Sequence, residues 1–60
     1  MRDKKRIKRL LKLIEEIWNK DPDLRLCQLI ENVVHHEDNC IYYVEDDDLE
    51  QKLREFYIKD

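Results

Sequence analysis

The sequence predicts a mainly α fold: one compact three-helix domain over residues 1–60, with a short extended segment at about 40–44 before the last helix. Three observations carry that expectation. Apolar residues recur at helical spacing in three stretches, the chain has no Gly and a single Pro to punctuate them, and one run of β-branched and aromatic residues interrupts the pattern.

The first stretch runs from Asp3 to Asn19, where Ile7, Leu10, Leu11, Leu13, Ile14, Ile17 and Trp18 fall at the offsets of an amphipathic helix. Asp3 is the expected N-cap. Lys4, Lys5 and Arg6 then put positive charge in the first turn, where the helix dipole disfavours cations by about 0.3–1 kcal/mol each. That placement needs a compensating partner. Asn19 to Asp23 breaks the helix, because Pro22 lacks an N–H and disfavours helical geometry in Asp21 before it. Asp23 is the preferred cap of a second helix beginning at Leu24, with Asp21 as the alternative. Leu26, Leu29, Ile30, Val33 and Val34 share the apolar face of that helix, Cys27 lies beside them as a small core residue, and the helix ends near His35.

His35 to Asn39 is polar and turn-like. Cys40 to Val44 is rich in β-branched and aromatic residues and reads as a short strand or extended segment anchoring Ile41 and one tyrosine in the core. Tyr42 and Tyr43 cannot both point inward from extended chain, so one of them is expected at the surface. Leu49, Leu53, Phe56 and Tyr57 mark a third helix over Asp46 to Ile58, whose first-turn acids suit the dipole.

Composition bounds the function. A chain of 60 residues buries only about 60% of the surface its unfolded form exposes, so association would add welcome stability. Two cysteines are too few for a disulfide scaffold, the charged N-terminus carries no signal-peptide pattern, and no apolar run reaches the length of a membrane span. A cytoplasmic protein with reduced thiols, bacterial or phage in origin, is the expectation. The net charge of −3 hides an asymmetry: residues 1–20 carry +5 and residues 21–60 carry −8.

Around the break, Trp18, Pro22, Asp23, Leu24, Leu26 and Gln28, followed by an acidic run ahead of Leu49, form a Trp-x3-Pro-Asp-Leu-x-Leu-x-Gln-Leu pattern. This pattern resembles the family of small bacterial proteins that includes enterobacterial YihD. The likeness covers about half the chain and implies a compact helical cytoplasmic protein without assigning an activity. The chain departs from the pattern in its His-His-Glu-Asp-Asn-Cys stretch, residues 35–40.

Several chemistries are weighed against these residues. Cys27, His35, His36 and Cys40 are zinc-ligand types, but their spacing contains no C-x2-C pair and adjacent histidines in a turn point apart, so no metal or other cofactor is expected. No nucleophile and base can be paired and no Gly-rich phosphate loop exists, which argues against an enzyme and a small-molecule substrate. The expected role is a non-catalytic protein-interaction or regulatory module. Its contact residues are Lys4, Lys5, Lys8, Arg9 and Lys12 on a basic helix, and Tyr43, Glu45, Asp47 and Asp48 on an acidic-aromatic surface. The partner is a protein, self or other, and dimerisation could use either the Cys40–Val44 edge or leftover apolar face on the first helix. The alternative is a small nucleic-acid-binding regulator of helix-turn-helix type, using the basic helix and Arg25. Against that alternative, a duplex would repel the acidic two-thirds of the chain, and the turn lacks the customary Gly.

Overall fold

The computed structural model describes residues 3–34 and 41–58. The first helix, α1, spans Lys5–Lys20; α2 spans Leu26–Val34; a single 3-10 turn covers Ile41–Tyr43; and α3 spans Asp46–Tyr57. No strand occurs among the described residues. The Cα radius of gyration of 11.5 Å is near the roughly 10 Å expected for a compact chain of this length.

The core is a small cluster in which each helix contributes one stripe. Leu13 and Ile17 come from α1, Leu29, Val33 and Val34 from α2, and Leu53 from α3; Leu29 and Leu53 are both 0% exposed. Ile14, Trp18, Leu24, Ile30, Val44, Leu49, Tyr57 and Ile58 pack around it, each partly buried. A hydroxyl closes the far end of the bundle: Tyr57 donates from its Oη to the Leu29 carbonyl at 2.7 Å and accepts from Asn32 Nδ2 at 3.2 Å. The α3 helix packs on both of the others.

The local sequence explains where each helix starts. Asp3 sits one position ahead of Lys4, the α1 cap residue, and its Oδ1 accepts the Lys5 N–H at 2.9 Å, so the acid does the capping work without occupying the cap position. After α1, the Leu24 N–H donates to the Asp21 carbonyl at 3.1 Å, closing a turn with Pro22 at its second position, where the fixed φ of proline fits. The second helix therefore begins at Leu26, two residues later than the Asp23 cap implied. The reason is tertiary. The indole Nε1 of Trp18 donates to the Leu24 carbonyl at 2.7 Å, occupying an acceptor that a longer α2 would have needed. Gln28 then reaches back, its Oε1 accepting the Arg25 N–H at 2.9 Å in the manner of a capping-box glutamine.

Other expectations are corrected. Cys27 is exposed instead of lying in the core. It lies on the flank of the apolar face, about 200° round from Leu29 but nearly in line with Val34 two turns later, and in the first turn of α2 that flank is open. The Ile41–Tyr43 segment is wound into a turn, the Val44 N–H donating to the Ile41 carbonyl at 3.2 Å, and extended backbone is found instead at Glu45, with φ −72° and ψ 150°. Val44, not Ile41, reaches the core. Ile41 is 53% exposed, and both tyrosines face outward, Tyr42 at 82% and Tyr43 at 73%. Their rings meet edge to face with centroids 5.0 Å apart. The end of the second helix near His35, and Cys40, lie outside the described residues.

Candidate functional site

The first-turn cations find carboxylates within the chain, but through arginine and not lysine. Arg6 Nε lies 2.6 Å from Asp46 Oδ2, and Arg9 Nε contacts both Glu50 oxygens, at 3.0 and 2.9 Å. The two pairs step the same way along both helices, so α1 and α3 run parallel and their N-termini share one end of the bundle. Two positive dipole ends side by side would repel, and the acids of the α3 first turn, Asp46, Asp47 and Asp48, offset this. Arg54 of α3 adds a third cation, its Nη2 3.3 Å from Glu50 Oε2.

Glu50 is the hub of this network. Partial burial alone would push its carboxyl up, but hydrogen bonds and charge from Arg9 and Arg54 outweigh the burial and hold it below the usual carboxylate range. A depressed folded-state value means that the contribution to stability is present above the ordinary glutamate pKa and is lost as pH falls through the lower folded value. Thermal melts of the wild type and Glu50→Gln should therefore differ at neutral pH, and the gap should close on acidification beyond the usual carboxylate range. A gap independent of pH would refute the network's role.

The predicted contact residues divide unequally. Arg9 is engaged with Glu50. Lys4, Lys5, Lys8 and Lys12 are exposed, and none forms an ion pair with a carboxylate among the described residues. On the acidic side, Glu45 is the cap residue of α3, Asp47 and Asp48 are exposed in its first turn, and Tyr43 stands beside Tyr42 on the 3-10 turn. Glu45 and Asp47 line a polar cleft with Asp3, Arg6 and Arg9. The structure thus joins the basic and acidic ends that the sequence set apart, and leaves the lysines over. Of the zinc-type residues, Cys27 is exposed and the other three lie outside the described residues.

A second feature gives form to the leftover apolar face expected on the first helix. Between α1 and α2 lies an open groove of about 350 Å³, floored by Leu11, Ile14 and Trp18 from α1 with Leu26 and Ile30 from α2. Leu11 is 62% exposed, and Ile7, one turn before it, is also exposed. The signal was available: seven apolar residues on one 16-residue helix make a stripe wider than a single neighbouring helix can cover. Leu13 and Ile17 face the core, and the Ile7–Leu11–Trp18 edge is left over.

Among the described residues, no helix is long and apolar enough to cross a membrane. The chain has no significant match to any protein-family model, curated protein or solved structure. Fold and site define it as a small three-helix domain with an ion-paired α1–α3 seam and an uncovered apolar groove.

Proposed function

We propose that this is a small non-catalytic interaction or regulatory module that binds a protein chain through α1. The observation that carries this reading is the groove floored by Leu11, Trp18 and Leu26 and edged by Glu15, on a helix whose lysines have no carboxylate of their own among the described residues. An apolar floor edged by desolvatable charge is the anatomy of a protein-binding patch, with aromatic residues as the favoured anchors. The exposed Tyr42–Tyr43 pair and the exposed Asp47 and Asp48, a few residues later in the chain, would supply a second, acidic-aromatic surface. Cytoplasmic residence, bacterial or phage origin and a place among the YihD-like small proteins belong to the same proposal.

The test is affinity capture from a bacterial lysate, together with sedimentation, on the wild type, on Lys4→Glu/Lys5→Glu/Lys8→Glu and on Leu11→Glu. Association with another chain, whether foreign or a second copy, should be lost in both variants. If every association survives both, the α1 surface is discarded. The four lysines also favour a second reading, a small nucleic-acid-binding regulator. Under that reading a duplex should bind at low salt with affinity falling steeply as salt rises, and no binding at low salt eliminates it.

A further inference from the structure

The α1 side of the groove, exposed at Ile7 and Leu11 and partly buried at Ile14 and Trp18, has a definite pattern. Ile7, Leu11, Ile14 and Trp18 are separated by four, three and four residues, the d-a-d-a spacing of a coiled-coil seam. In that register Leu10 and Ile17 fall at g positions, and Ile17 is in the protein's own core. The e positions are Lys8 and Glu15, both exposed, on the rim away from α2. One rim therefore carries a positive charge toward the N-terminus and a negative charge two turns later.

This rim is complementary to itself read backwards. Resting on the interaction module proposed above, we propose that the groove's occupant is a second copy of this chain, the two α1 helices pairing antiparallel about a two-fold axis. With Leu11 opposite Ile14 of the second copy, Ile7 comes opposite its Trp18. Lys8 then lies within two residues of level with Glu15 of the second copy, an axial offset of about 3 Å that both side chains can span. An isologous interface makes that pair twice. Antiparallel coiled coils set e against e, so both charges are matched. A parallel pairing sets each e residue against the g residue five positions earlier, so Glu15 would meet the apolar Leu10 and Lys8 only Asp3, which lies ahead of α1, whereas the antiparallel pairing satisfies both charges inside the helix. Leu26 and Ile30 of α2 widen the seam beyond a bare two-helix contact.

The experiment is sedimentation of the whole chain from micromolar to millimolar concentration, with circular dichroism confirming that each variant is folded. The wild type should dimerise. Leu11→Glu should weaken the dimer by at least about a hundredfold, since each interface loses two central leucines and buries two carboxylates. Lys8→Glu alone and Glu15→Lys alone should each weaken it about tenfold at low salt, and Lys8→Glu with Glu15→Lys should restore it. Both are exposed positions, so the charge-swap series remains decisive even if Leu11→Glu fails to fold. A wild type that stays monomeric, a dimer indifferent to Leu11, or a double variant no better than the singles overturns the antiparallel pairing. The broader reading falls only if lysate capture, too, is indifferent to Leu11 and the lysines, so the two failures are distinguishable.

Discussion

Replacing Leu53 with alanine is expected to remove most of the protein's stability. Leu53 is 0% exposed and is the single fully buried contribution of α3, placed between the α1 stripe of Leu13 and Ile17 and the α2 stripe of Leu29 and Val33. Leucine-to-alanine changes in cores cost about 2–5 kcal/mol, the larger values where the surroundings cannot collapse into the void. A domain of this size has about 3–9 kcal/mol in total at typical per-residue stabilities. The substitution therefore removes most of the margin. Because α3 is the helix on which both others pack, little else can hold them together. Urea denaturation followed by circular dichroism should show a large fall in midpoint or no cooperative transition. Ile41→Ala is the control: its side chain is exposed on the 3-10 turn, and its cost should stay within about 0.5 kcal/mol. Equal losses from the two changes would contradict the core as described.

The three helices were legible because each has enough apolar residues at helical offsets for its inward face to be unambiguous. The errors cluster where an outcome depends on a contact between elements. Nothing local in Asp21-Pro22-Asp23-Leu24 shows that the Trp18 indole will claim the Leu24 carbonyl and delay α2 to Leu26. Likewise, the cations of the first α1 turn called for acids, but only the parallel packing of α1 and α3 selects Arg6 and Arg9 over the intervening lysines. Charge composition can specify that opposite ends attract; which side chains meet depends on helix rotation. Cys27 is a different case: it is two residues from Leu29 but seven from the buried Val34, so spacing leaves it on the flank of α2 and only the packing around the first turn decides its exposure. The groove was half visible, as the excess width of the α1 stripe, but a wide stripe alone cannot tell whether another helix of the same chain covers its edge.

Trp18→Ala is expected to be the second most damaging change, because one side chain serves the core, the turn and the groove at once. The indole packs against the core cluster while its Nε1–H holds the Leu24 carbonyl at 2.7 Å, and another part of the ring floors the groove. Truncating a buried tryptophan costs about 3–5 kcal/mol, and partial exposure puts this one at about 3. Trp18→Phe separates the contributions. It keeps most of the apolar contact and deletes the donor, so its cost should be about 1 kcal/mol. With the Leu24 carbonyl released, the start of α2 should loosen, and amide hydrogen exchange from Leu26 to Leu29 should speed up while the Leu53 amide stays protected. Uniform acceleration across all three helices would mean that the indole hydrogen bond does not fix the start of α2. Because the same ring lies in the groove, its fluorescence in the wild type is also a direct reporter of occupancy, and any chain docking there should shift the emission to the blue as water is excluded.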